Sequence, residues 1–188
     1  MAKHIIAFGT STSSTSINQQ LAIYAGNFFE NVEVKILDLR NYQCQIYSTD
    51  EEALDFPDVI KQFYAELKAA DGILISLAEH NFSFTAAYKN TFDWFTRYNI
   101  AQGTKVLKDK PIAMLSMSPS PKGGSKVLQA ALDIYNFFGA NIIDSLSIPR
   151  SYENFVGGRC TNEELNQKIQ SIVKKLEEIV IKSTDYHN

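Results

Sequence analysis

The sequence predicts a three-layer α/β fold: a five-stranded parallel sheet in the order 2-1-3-4-5, with helices on both faces. Three observations predict it. Short β-branched apolar runs alternate with longer amphipathic stretches. The third run, Ile73-Leu74-Ile75-Ser76-Leu77, is apolar almost throughout, as suits a strand buried on both faces. Five strands, and the lack of a G-x-G-x-x-G after the first, favour this order over the six-stranded dinucleotide-binding one.

The elements follow in order. His4 to Phe8 reads as the first strand, ended by Gly9. A hydroxyl-rich loop, Thr10 to Ser16, leads into a helix from Ile17 to about Phe29, with Leu21, Tyr24, Ala25 and Phe28 at helical spacing. Val32 to Leu37 is the second strand. A helix runs from Asp58 to Ala70, with Pro57 as its start signal. Gly72 to Leu77 is the third strand, followed by a polar loop, Glu79 to Ser83, and a helix from Ala86 to Tyr98. Pro111 to Met117 is the fourth strand. A Pro/Gly loop, Ser118 to Gly124, opens a helix to about Phe138, with Gly139 as its C-cap. Asn141 to Ile148 is the fifth strand. The last helix spans Asn162 to Ile181, with Thr161 as N-cap and Glu164 completing a capping box. One domain over residues 1–181 is expected, with a frayed tail at 182–188.

The 188 residues carry a net charge of -3 and are 45% hydrophobic and 21% charged. Such a chain buries a substantial core and has no basic excess for nucleic acid or an anionic membrane. No stretch reaches the apolar length of a membrane span, and Met1 to Gly9 lacks the apolar run of a secretory signal. Cys44 and Cys160 have no metal-ligand spacing and read as reduced cytoplasmic thiols. His4, His80 and His187 are too scattered for a metal site.

In an open parallel sheet, ligands bind beyond the carboxyl ends of the strands, where the strand order reverses. Three loops meet there. The first, Gly9-Thr10-Ser11-Thr12-Ser13-Ser14-Thr15-Ser16-Ile17-Asn18, sets seven consecutive hydroxyl residues before a helix N-terminus. Hydroxyls, free N–H groups and the helix dipole suit a phosphate held by neutral donors. The alternative is a Ser/Thr turn ending in an ordinary N-cap. The second, Ala78-Glu79-His80-Asn81-Phe82-Ser83, can meet the edge of a flat heterocycle, with Phe82, Phe84 or His80 near its face. Otherwise His80 is a loop histidine, and Glu79 caps the next helix. The third, Ser116-Met117-Ser118-Pro119-Ser120-Pro121-Lys122-Gly123-Gly124, is stiffened by prolines and opened to close approach by glycines. It either lines the far side of the crevice or is a plain connector.

Together these loops resemble the NADPH-dependent FMN reductase family, which includes chromate, quinone and azo-dye reductases of flavodoxin-like fold. Gly9, Ser16 and Asn18 match the ends of its G-S-x-R-x-x-S-x-N motif. Ala78 to Ser83 stands for P-E-Y-N-G-S, Lys89-Asn90-Thr91-Phe92-Asp93-Trp94 for K-N-A-x-D-W, and Ser118 to Gly124 for S-P-x-x-x-G-G. The resemblance covers about residues 4 to 150. The family's first-loop arginine is absent, with Thr12 near its place, and the loop is one residue longer. His80 replaces a tyrosine and Phe82 a glycine.

The resemblance implies bound FMN, NAD(P)H as co-substrate and transfer to a small acceptor: a quinone, free flavin, azo compound or metal oxyanion. It implies phosphate contacts from Ser11, Ser16, the Ile17 backbone and Asn18. With the loop readings, the cofactor-binding set is Thr10, Ser11, Ser16, Ile17, Asn18, Glu79, His80, Asn81, Phe82, Ser83, Ser116, Ser118, Pro119, Gly123 and Gly124. No side-chain catalyst and no metal ligand is called for, since the flavin carries the chemistry. The resemblance also implies a homodimer or tetramer, with the Lys89–Tyr98 helix as interface because Phe92, Trp94, Phe95 and Tyr98 exceed what one helix face needs. Two rival readings stand beside it: a flavodoxin-type electron carrier, and a flavin-free protein of the same fold.

Overall fold

The computed structural model describes residues 3–183. In chain order the elements are β1 (His4–Gly9), α1 (Ile17–Gly26), β2 (Glu33–Ile36), a 3-10 turn (Leu39–Tyr42), α2 (Thr49–Leu54), α3 (Asp58–Ala69), β3 (Gly72–Leu77), a hairpin of β4 (Glu79–His80) and β5 (Ser83–Phe84), and α4 (Ala86–Ala101). Then come β6 (Pro111–Met117), α5 (Ser125–Phe137), β7 (Asn141–Ile148), α6 (Ser151–Asn154), a second hairpin of β8 (Phe155–Val156) and β9 (Arg159–Cys160), and α7 (Glu163–Lys182). The sheet order is β2-β1-β3-β6-β7 with every pairing parallel. Setting the hairpins aside, that is the expected 2-1-3-4-5.

The pleat divides the core. Ile5, Ala7, Leu74 and Leu115 face Leu21, Ala25, Ile172 and Leu176 of α1 and α7. Their neighbours Ile6, Phe8, Ile73, Ile75 and Met114 face Phe63, Phe95 and Ala131 of α3, α4 and α5. Alternate residues of one strand thus bury on opposite faces, which the period-2 geometry of a strand requires.

Several boundaries differ from the sequence reading. The helix α1 ends at Gly26, because the N–H groups of Glu30 and Asn31 leave helical register to donate to Glu177 Oε1 at 2.8 and 2.7 Å. The N-cap of α7 is Asn162, whose Oδ1 accepts from Leu165 N at 3.1 Å. Thr161 is drawn away, donating from its hydroxyl to Glu153 O at 2.8 Å, and Glu164 pairs with Lys168, so no capping box forms. Gly139, at φ +75°, lies one residue past the C-cap Phe138. The segment expected to be a polar loop at 79–83 is a hairpin. The helix α7 reaches Lys182, and the tail beyond residue 183 lies outside the described residues.

Of the aromatic load of α4, Phe92, Trp94 and Phe95 are buried within the chain, and Tyr98 is half-buried against Phe56 and Tyr64. Trp94 is 0% exposed; its Nε1 donates to Gln45 O at 2.9 Å, and Tyr47 and Phe56 meet its ring edge to face. Segment 45–56, including α2, covers that ring, and Phe92 and Phe95 are buried in the core. These aromatics therefore give no argument for an interface.

Candidate functional site

The carboxyl ends of the strands are tied to the start of α1 by two adjacent carboxamides. Asn18 Nδ2 donates to Met117 O at 2.9 Å, and Asn18 Oδ1 accepts from Met117 N and Ser76 Oγ, each at 2.9 Å. Gln19 Oε1 accepts from Gly9 N at 2.7 Å, and its Nε2 donates to Leu37 O at 2.9 Å. One helical turn is thereby fastened to the ends of β1, β3 and β6 and to the residue after β2. Gly9 permits the approach: a Cβ there would lie 2.4 Å from Gln19 N.

That anchoring fixes the helix start. Ser16 caps it, its Oγ accepting from Gln19 N at 3.1 Å. The N–H groups of Ile17 and Asn18 find no acceptor among the described residues, and the first turn carries no acidic side chain. Unsatisfied amides and the positive end of the helix dipole make this a terminus that suits an anion. Ser11 to Thr15 lie above it, half-buried to exposed and joined by weak local bonds, such as Ser13 N to Ser11 Oγ at 3.2 Å. Their hydroxyls can turn toward a ligand at little cost. This all-neutral donor set fits the phosphate of FMN.

Thr10 departs from its expected role. It is fully buried: its N–H donates to Ser76 O, its Oγ1 accepts from Ala78 N at 2.8 Å, and its carbonyl accepts from Thr85 Oγ1 at 2.6 Å. Its side chain binds the first loop to the root of the β4–β5 hairpin. The Asn18 carboxamide is likewise spent on the strands, which leaves its backbone N–H toward the crevice.

The hairpin turns at Asn81 and Phe82, with φ of +49° and +64°, and His80 pairs with Ser83 across it. Two left-handed central residues are the type I′ arrangement. Glu79 does not cap the next helix. Its Oε2 accepts from the N–H groups of Lys126 and Val127, both at 3.0 Å, and so caps α5, whereas Thr85 caps α4. His80, Asn81, Phe82 and Ser83 are exposed. Beneath them Phe84 packs on Tyr88 at 5.8 Å, and the Tyr88 and Tyr135 hydroxyls hydrogen-bond to each other. Burial drives both phenol pKa values above the ordinary tyrosine range.

The third loop closes the far side. Ser116 Oγ is buried and donates to Leu77 O at 2.7 Å, so it splints β3 to β6 and does not face a ligand. Gly123 and Gly124 have φ of +59° and +83°, and a Cβ on Gly124 would sit 2.0 Å from Ser116 Oγ. The loop backbone is pinned to β7 and beyond through Ser118 N to Ile148 O and Ser151 N to Ser118 O. Ser118 is half-buried and Pro119 exposed. The cavities of about 660 Å³ around Asp71 and Lys110 and of about 540 Å³ around Leu107 and Phe138 lie at the opposite, amino end of the sheet.

Of the expected residues, the structure brings Ser11, Ser16, Ile17, the Asn18 backbone, the hairpin tip, Ser118 and Pro119 to one edge. Thr10, Glu79, Ser116 and the Asn18 side chain hold that edge together. Sequence reasoning missed Gln19 and Ser76. The signal for Gln19 was its place beside Asn18, two carboxamides in the first turn of a helix.

Residues 4–153 match the sequence model of the NADPH-dependent FMN reductase family. The NAD(P)H:quinone oxidoreductase of Solanum tuberosum is 25% identical over 167 residues, 84% of this chain and 77% of that protein. The "uncharacterized protein MG342 homolog" of Mycoplasma pneumoniae is 27% identical over 144 residues, 76% of this chain and 85% of its own. Among solved structures, the flavoenzyme NAD(P)H:(acceptor) oxidoreductase FerB of Paracoccus denitrificans superposes with a TM-score of 0.76 at 23% identity, covering 96% of this chain and 98% of its own. That last likeness is one of fold.

Proposed function

The chain belongs to the NADPH-dependent FMN reductase family, and from that membership we propose how its own residues serve an NAD(P)H-dependent FMN oxidoreductase. Bound FMN supplies the two-electron relay between NAD(P)H and a small acceptor. The amides of Ile17 and Asn18 and the hydroxyls above them hold the phosphate. The Asn18–Gln19 anchoring keeps those donors in place before the ligand arrives, so little ordering cost falls on binding. The Glu79–Ser83 hairpin and the Ser118–Pro119 turn are the elements that would hold and orient the ring system. No side chain is required as nucleophile or base.

The acceptor in this reading is a quinone, free flavin, azo compound or metal oxyanion, consistent with the quinone reductase named above and with an NADPH azoreductase of Bacillus that is 26% identical over 110 residues. The reading also takes residues 1–181 as one FMN-binding unit, the cytoplasm as its compartment, and a homodimer or tetramer as its assembly. Two free cysteines fit a reducing compartment. Ile46 and Leu54, 84% and 81% exposed on the segment that covers Trp94, offer apolar surface beside the Lys89–Tyr98 stretch of α4 for a second copy.

The observation that carries the reading is the neutral, pre-anchored α1 terminus at the carboxyl edge of the sheet. The test is anaerobic: NADPH or NADH added to the FMN-loaded protein bleaches the flavin band without a second protein. Bleaching only in the presence of a partner reductase indicates a carrier instead.

A further inference from the structure

We propose that Phe82 determines acceptor specificity, its ring forming a stacking lip for flat conjugated acceptors at the open side of the crevice. The inference rests on the reductase reading above and names the acceptor contact within that site.

The turn between β4 and β5 demands left-handed backbone at both central residues. Asparagine is among the residues that tolerate φ +49°, being short and polar; a phenylalanine at φ +64° does not share that tolerance. Glycine is the residue this turn selects. The remaining non-glycine residues at positive φ among those described are Asp109 and Arg150, so Phe82 is the one apolar side chain held in this way. Packing against the described residues offsets little of this, since Phe82 is 71% exposed.

The strain persists because the hairpin is fastened from below. Glu79 grips the α5 amides, Ala78 N bonds Thr10 Oγ1, and Thr85 Oγ1 bonds Thr10 O. A rigid base and a strained, solvent-facing ring at the tip form a device whose use lies outside the chain. The base of the hairpin is bonded to Thr10 of the first loop and to the start of α5, which sets the hairpin at the carboxyl edge of the sheet, the same edge as the start of α1. An aromatic ring there adds stacking for a planar quinone or azo compound and nothing for a compact inorganic oxidant such as ferricyanide.

The experiment compares wild type, Phe82→Gly and Phe82→Trp as FMN-loaded proteins. Three quantities are read: the thermal midpoint, the ratio of kcat/KM for a naphthoquinone to that for ferricyanide with NADPH, and naphthoquinone binding by flavin absorbance without NADPH. Phe82→Gly raises the midpoint, since glycine relieves the turn. The same change lowers the quinone-to-ferricyanide ratio tenfold or more and weakens quinone binding in step, and Phe82→Trp restores both. An unchanged ratio in Phe82→Gly overturns the proposal. So does an equal loss toward both acceptors, or a smaller sedimenting species, which would assign the ring to the cofactor or to a subunit contact. Failure of NADPH and NADH to reduce the wild type overturns the reductase reading instead, and the binding measurement still judges Phe82.

Discussion

Asn18 and Met117, 99 residues apart, are joined by a pair of hydrogen bonds that imitates strand pairing: the carboxamide donates to the Met117 carbonyl and accepts from its amide, both at 2.9 Å. A side chain from a helix thus completes the backbone bonding of a strand end. The buried groups at this junction are satisfied only while the carboxamide is present.

Asn18→Ala leaves the Met117 amide and carbonyl and the Ser76 hydroxyl without their partner. The expected cost is about 2–4 kcal/mol of stability, from buried polar groups left unpaired. FMN affinity falls with it, because the helix start loses its anchor. Urea denaturation of the apoprotein and a fluorescence titration with FMN check the two effects.

Thr10 and Ser11 are neighbours with opposite expected phenotypes. Thr10→Val unpairs the buried Ala78 amide and costs about 1–3 kcal/mol in the apoprotein. Ser11→Ala changes stability by less than about 0.5 kcal/mol and weakens FMN binding about 3- to 10-fold, the loss of one hydrogen bond to a charged group. Parallel melts and titrations of both variants separate architecture from contact.

Glu79→Ala removes the acceptor at the start of α5, whose N-cap Gly124 supplies no side-chain oxygen. The expected loss is ~1–2 kcal/mol, with hydrogen exchange accelerated at Lys126 and Val127. Glu79→Gln keeps an acceptor and recovers part of the protection.

Stability at high pH is set in part by Tyr88 and Tyr135. Burial raises both folded-state pKa values above the tyrosine range, that of Tyr88 well above it. The unfolded chain releases these protons near pH 10, whereas the folded protein retains them. Their contribution is therefore complete below about pH 10 and is lost as pH climbs toward the folded values. The unfolding free energy should fall above pH 10, and Tyr88→Phe with Tyr135→Phe should make that fall shallower.

What the sequence made legible follows from range. The strands β3, β6 and β7 were readable to the residue because an apolar run bounded by polar residues is a local signal. The start of α1 at Ile17, after a hydroxyl-rich loop, was readable because that loop is a local signal too. The partners of Asn18 and Gln19 were not, since Ser76, Met117 and Leu37 lie 58, 99 and 18 residues from them. Glu79 sits next to α4 in sequence but caps α5, 47 residues on. The β4–β5 hairpin was hidden by Phe82 standing where a glycine would have announced the turn. The covering of Trp94 by segment 45–56 left no trace in the periodicity of α4.

In the proposed function, uncharged donors at the start of α1 grip a phosphate. The most direct measurement is the affinity of the apoprotein for FMN against riboflavin, which differ only in that group. FMN is expected to bind at least about 100-fold more tightly, roughly 2.7 kcal/mol, with the gap narrowing in Ser11→Ala. Equal affinities for the two flavins would contradict it.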